Sequence, residues 1–135
     1  MGDEPLPEFV PGATYDPGIP TLESVVGHAI RDEVTSPEEI VFYFRALAAA
    51  APDRTRLIEC GESWEGRPLI ALLVGSPNTM SRLAAVQAGL QRLTDPASLG
   101  ESDVDAAIAD LPVLVSLVHG IHGNEISSAG AAMAM

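Results

Sequence analysis

The sequence predicts an α/β fold in which helices cover a mixed sheet. Two apolar runs, 56–60 and 69–74, flank a glycine-containing loop and indicate an antiparallel hairpin. A third run, 112–118, is apolar at almost every position, which is typical of a strand buried on both faces of a sheet. Because helical patterns lie before and after this third run, we expect it to add a parallel strand to the hairpin.

Residues 1–30 are rich in proline, glycine and acidic residues, and we expect an extended arm there. Proline fixes φ and lacks the amide hydrogen, so repeated prolines prevent a regular helix or strand. The prolines of this segment are Pro5, Pro7, Pro11, Pro17 and Pro20. We expect the arm to lie on the domain or to be a disordered lead-in, and we assign residues 31–135 to the folded domain.

Helix signals begin at Ser36, which is followed by proline at the first helical position and by Glu39 at the third. This pattern is a capping box and predicts a helix start. The helix continues with apolar residues at helical spacing, at Ile40, Phe44 and Leu47. The same spacing predicts a second helix over 83–93 and a third over 102–111, with Ile108 facing inward.

A last helix is predicted over 125–135, and it ends without a stop signal. Its final residues are apolar, with no glycine cap, no basic residue and no breaker. A domain rarely stops inside an apolar helix. We therefore expect this chain to be the N-terminal part of a longer protein.

The charge balance excludes two classes of partner. Nineteen acidic residues face seven basic ones, all arginine, for a net charge of -12. Such a chain is repelled by phosphate backbones and anionic bilayers, so we expect no nucleic-acid binding and no membrane binding. The N-terminus lacks the basic and apolar regions of a signal peptide. The compartment stays open: cytoplasmic, or secreted if a signal was removed.

Segment 118–125 carries the clearest chemical pattern. It follows the predicted central strand, and ligands of open α/β sheets bind outside the carboxyl ends of strands. His122 and Glu125 lie three residues apart, so one helical turn places them on the same face. Both side chains are zinc donors, and two histidines with one glutamate and an open water position form a known catalytic site. The bare spacing is also consistent with a chance pair of surface residues.

His119 lies beside this pair and has two interpretations. It is a substrate contact or a support for the ligands, or else a histidine that is simply hydrogen-bonded at a strand end. His28 lies in the arm and is given no role.

Two segments carry a resemblance to a known family. Gly-Ile-His-Gly-Asn-Glu at 120–125 resembles the first zinc-binding motif of the M14 metallocarboxypeptidases, and Gly-Glu-Ser-Trp-Glu-Gly-Arg-Pro-Leu at 61–69 resembles their hairpin segment. The resemblance spans residues 36–135 and keeps the family's order. It implies a three-layer, zinc-carboxypeptidase-like fold of which only the N-terminal part is present. It also implies Zn²⁺ as cofactor, with His122 and Glu125 as its first two ligands.

The family's other catalytic parts have no counterpart here. Its third zinc ligand, substrate-binding arginines and general base lie further downstream, so no catalytic residue is assigned within this chain. Many members carry arginine two residues after the zinc histidine, where this sequence has Asn124. Asn124 is therefore a candidate substrate contact, and its neutral amide weakens the expectation of strict exopeptidase specificity.

The resemblance implies zinc-dependent peptide hydrolysis in the complete protein. With two ligands, we expect this chain to bind zinc weakly and to turn over little or no substrate. One alternative is a zinc-dependent deacylase of the aspartoacylase and succinylglutamate desuccinylase type, which acts on acylated amino acids. Another is a non-catalytic binding or interaction domain. Because a sheet without its later strands exposes an edge and an apolar face, we also expect self-association.

Overall fold

The computed structural model of the chain describes residues 12, 14–30, 32–95 and 99–134. The elements in chain order are α1 (Leu22–Val26), α2 (Pro37–Ala50), β1 (Thr55–Glu62), β2 (Pro68–Val74), α3 (Pro77–Ser81), α4 (Leu83–Leu93), α5 (Glu101–Asp110) and α6 (Ile126–Ala134). Helices combined with a two-stranded antiparallel sheet confirm the α/β class. Within the described residues, no helix combines the length and the apolar character that a membrane span requires.

Helix α2 begins where the capping box predicts. The Ser36 hydroxyl oxygen accepts from the Glu39 amide at 3.3 Å, and the Glu39 carboxylate accepts from the Ser36 amide and hydroxyl, each at 2.8 Å. The hydrogen bonds from Ser36, the backbone one above all, hold the pKa of Glu39 below its ordinary value. Local sequence therefore fixes this helix start.

The hydrophobic core joins three helices. Leu22 of α1, Tyr43 of α2 and Met133 of α6 are buried together. Partly buried apolar side chains pack around them: Val25, Val26, Ile30, Ile40, Phe44, Leu47 and Ala129. The Tyr43 hydroxyl donates to the Pro20 carbonyl at 3.4 Å, and burial raises the pKa of Tyr43. This core holds α6 in place, and with it the loop that precedes α6.

The N-terminal segment is more regular than its proline content predicts. Helix α1 lies inside the expected arm, and the Thr21 hydroxyl oxygen caps it by accepting from the Ser24 amide at 3.2 Å. The prolines of this region precede the helix rather than interrupt it. Residues 1–11 lie outside the described residues, and the domain boundary near residue 31 stays a prediction.

Strands β1 and β2 pair as the predicted antiparallel hairpin. Gly66, with φ 74°, closes the connecting loop by donating its amide to the Ser63 carbonyl at 2.9 Å. The Arg67 guanidinium pairs with Glu65 in the same loop and lies 3.9 Å from the Glu38 carboxylate of α2. These contacts connect the hairpin to the start of α2.

The predicted central strand at 112–118 is not a strand in this structure, and the prediction of a buried parallel strand is wrong. These residues have no regular secondary structure. The apolar side chains of 113–118 are exposed, from 60% at Leu117 to 91% at Val113. A strand needs a neighbouring edge for its backbone hydrogen bonds. The sheet of the described residues consists of β1 and β2, which pair with each other.

Helices α4 and α5 face each other across an open groove of about 420 Å³. Small residues line much of it, including Ala88 and Gly89 of α4 and Ala107 of α5. Ile108, predicted to face inward, is instead 56% exposed. The groove includes none of the residues that the sequence assigns to metal or substrate.

Candidate metal centre

A short loop between 112–118 and α6 carries the site residues predicted from the sequence. Gly120 has φ 71°, a left-handed conformation that residues with a Cβ rarely adopt. Its amide donates to the Ser128 hydroxyl oxygen of α6 at 3.0 Å. The same hydroxyl donates to the Glu125 carbonyl at 2.9 Å. Ser128 thereby ties both ends of the loop to the first turn of α6.

His122 and Glu125 stand at the two ends of one backbone turn. The Glu125 amide donates to the His122 carbonyl at 3.0 Å. Both side chains are exposed, and Gly123 between them has no atom within 4 Å of the place where a Cβ would stand. A backbone turn joins the two residues, and their role as ligands stays a prediction.

The donor chemistry of this pair suits zinc. Zn²⁺ accepts imidazole nitrogen and carboxylate oxygen, and its protein sites are almost always tetrahedral. Across the described part of the chain, no group of three or more His, Cys, Asp or Glu side chains is placed to hold a metal. His122 and Glu125 therefore fit zinc by donor type and cover half of a tetrahedral shell.

Glu125 is the one charged residue of the last twenty-five in the sequence, from Leu111 to Met135. The ion pairs formed by the described residues lie elsewhere, for example between Arg45 and Glu59 and between Arg82 and Asp110. No ion pair within those residues engages Glu125. Its carboxylate is consequently available to a cation from outside the chain.

The two candidate substrate contacts lie on either side of His122. His119 is partly buried, and its Nε2 atom is shielded from solvent without a hydrogen-bond partner in the described part of the chain. A buried polar atom left in this state calls for a water, an ion or a substrate group. Asn124 is exposed. Neither role is tested by this arrangement, and both stay predictions.

Ser128 is the functional residue that sequence reasoning missed. Its hydroxyl makes both side-chain hydrogen bonds that anchor the loop. Serine in the first turn of a helix commonly bonds to nearby backbone groups, so its position three residues after Glu125 was the available clue.

A comparison with protein-family models gave one match that spans this site. The zinc carboxypeptidase (M14 peptidase) model matches residues 40–135, which include most of α2, the hairpin and the loop with His122 and Glu125. Comparisons with curated proteins and with solved structures gave no match. Since the matched range takes in well over half of the sequence, the chain belongs to the zinc carboxypeptidase family.

Proposed function

We propose that this chain provides the first zinc-binding segment of a zinc-dependent peptide hydrolase, with His122 and Glu125 as ligands. The family match over residues 40–135 carries the proposal. It is supported by the closed turn that joins the two residues, and by the exposure of both side chains.

The residues of the loop have separate tasks in this proposal. When bound, zinc supplies Lewis-acid chemistry, polarising a carbonyl and activating water near neutral pH. His122 and Glu125 hold it, while Gly120 and Ser128 fix the course of the backbone around them. Asn124 offers one amide donor group and one acceptor but no charge. Its contact therefore suits a peptide group of the substrate better than a terminal carboxylate.

The described residues include no group that we assign as general base. Hydrolysis needs a base that takes the proton from the attacking water. We therefore expect the 135-residue chain to show its zinc chemistry in metal binding, with little or no turnover.

Calorimetric titration with zinc tests the ligand assignment. We expect zinc to bind, and His122→Ala and Glu125→Ala each to abolish the binding isotherm because each removes one of two donors. Glu62→Ala removes another exposed carboxylate, from the end of β1, and should leave binding unchanged. Binding that persists in both loop variants would place the metal elsewhere and overturn the assignment.

The substrate class is tested with two compound sets. Peptides and acylated amino acids are titrated into the zinc-loaded chain while the Asn124 side-chain amide resonance is followed. We expect the peptides to shift this resonance. A shift by the acylated amino acids alone would transfer the assignment to the deacylase class.

A further inference from the structure

We propose that residues 20–30, which we call the support segment, position the two proposed zinc ligands by packing against α6. Leu22 and Ile30 are the positioning residues of this segment. The inference rests on the proposed function, because it concerns the same loop. The zinc carboxypeptidase match begins at residue 40, so the support segment precedes it and the match assigns it no role.

The support segment contacts α6 on one face of that helix. Leu22 and Met133 are buried in one core cluster, and Ile30 packs against the cluster. Ile30 also approaches α6 at Gly130, where its Cγ2 atom lies 3.8 Å from the place that a Cβ would take. Gly130 and Met133 are three residues apart, so they lie on the same helix face. The support segment therefore touches α6 along about one turn.

Helix α6 has few other means of attachment. Its sequence consists mainly of alanine, serine and glycine, and it includes no charged residue. Met133 is its buried residue, while the larger side chain of Ile126 is 60% exposed. Because burial of apolar surface is the main favourable term in packing, the contacts around Met133 decide how α6 is oriented.

The orientation of α6 reaches the ligands through its first turn. Glu125 directly precedes the helix, and Met133 follows it by eight residues, which is about 12 Å along the helix axis. The Ser128 hydroxyl bonds to the Glu125 carbonyl and to the Gly120 amide. A tilt of α6 at Met133 would consequently move both ends of the loop that carries His122.

Helix α2 holds the support segment at both ends. At the first end, the Tyr43 hydroxyl donates to the Pro20 carbonyl at 3.4 Å. Near the second end, the buried His28 has its Nε2 atom 3.8 Å from the Glu39 carboxylate. The support segment thus forms a fixed bridge between α2 and α6, so a substitution in it should alter the zinc loop without touching a ligand.

Calorimetric zinc titration of Leu22→Ala and Ile30→Ala tests the proposal. We expect the Kd for zinc to rise roughly two- to thirtyfold, the range in which substitutions between two coupled sites act. Leu22→Met and Ile30→Val keep most of the apolar volume and should bind zinc nearly as the parent does.

Val86→Ala is the matched control, because Val86 is buried in α4 and does not belong to the core cluster of α6. It should lower the Tm and leave the Kd for zinc unchanged. Circular dichroism checks that every variant is folded at the titration temperature.

A pair of substitutions at the contact itself separates positioning from general stability. Gly130→Leu places a large side chain against Ile30 and should weaken zinc binding by displacing α6. Ile30→Ala in the same chain makes room for it and should restore part of the affinity. Two independent losses of stability would add instead.

Hydrogen exchange gives a readout that needs no metal. The Glu125 amide is bonded to the His122 carbonyl, so its exchange reports on the ligand turn. In the metal-free chain, Leu22→Ala should accelerate this exchange severalfold more than Val86→Ala does.

The remaining outcomes distinguish this proposal from the ligand assignment. Parent-like zinc affinity in both Leu22→Ala and Ile30→Ala would overturn the positioning role and leave His122 and Glu125 as ligands. Equal loss of affinity in Val86→Ala would reduce the effect to general stability and overturn it too. If the parent binds no zinc, the ligand assignment fails, and unchanged exchange at the Glu125 amide would then overturn the positioning role as well.

Discussion

The Glu125 amide donates to the His122 carbonyl at 3.0 Å, so a backbone hydrogen bond closes the turn that carries the two proposed zinc ligands. Ser128 fixes the same turn from the helix side, because its hydroxyl bonds to the Glu125 carbonyl at 2.9 Å and to the Gly120 amide at 3.0 Å. A pair of donors held in this way loses less conformational freedom when a metal binds.

Gly120→Ala should weaken zinc binding without touching a ligand. Gly120 has φ 71°, and a residue with a Cβ pays about 1 kcal/mol or more in this conformation, so affinity should fall roughly fivefold. Gly123→Ala is the matched control. Gly123 does not have a left-handed φ, and a Cβ there meets nothing within 4 Å. Equal effects of the two substitutions in a calorimetric titration would contradict this explanation.

Ser128→Ala should also reduce zinc affinity, by roughly three- to thirtyfold. It removes two hydrogen bonds that anchor the loop, each of which contributes about 1 kcal/mol at most when partly exposed. Ser127→Ala deletes the neighbouring hydroxyl at an exposed position and serves as the control. If Ser128→Ala binds zinc as the parent does, the loop is held by other contacts.

Leu22→Ala should destabilise the fold by about 3 kcal/mol, because it removes most of a buried side chain from the core. Leu69→Ala makes the same chemical change on a side chain that is 51% exposed and should cost about 1 kcal/mol or less. Urea unfolding followed by circular dichroism measures both. A small effect at Leu22 would mean that α1 does not belong to the core that positions α6.

Glu39→Gln should change the dependence of stability on pH. Because the folded state lowers the pKa of Glu39, its ionised form contributes stability that is present in full above the ordinary glutamate pKa. That contribution is lost as the pH falls through the lowered pKa. The parent should therefore exceed Glu39→Gln in free energy of unfolding at neutral pH, and the difference should shrink in acid.

Glu62→Gln is the control for this series, since Glu62 is an exposed carboxylate at the end of β1 and lies outside the capping box. Urea unfolding at several pH values gives the comparison. A difference between parent and Glu39→Gln that grows in acid would have the wrong sign and would exclude this explanation.

The sequence was most informative where local interactions decide the structure. The start of α2 depends on Ser36 and Glu39, which are three residues apart, and the hairpin depends on a loop closed by Gly66. The turn between His122 and Glu125 is equally local. Each of these features could be read from a few neighbouring residues because the hydrogen bonds that form it join neighbouring residues.

Segment 112–118 shows where such reading fails. Its apolar composition describes what a buried strand would need, yet burial requires partner strands and covering helices from elsewhere in a chain. The described residues supply no such neighbour, and Val113 is 91% exposed. A third zinc ligand, as the proposal requires, would be a non-local feature too, so the pattern at His122 and Glu125 could not identify it.

The most direct measurement is a zinc titration followed through the side-chain nitrogen resonances of the histidines. The sequence has three, and they lie in different environments: His28 is buried, His119 partly buried and His122 exposed. If His122 is the zinc ligand, its ring nitrogens shift strongly as zinc is added, while those of His28 and His119 change little. A shift centred on His28 or His119, or no shift at any of the three at saturating zinc, would contradict the assignment of His122 and Glu125 as the metal site.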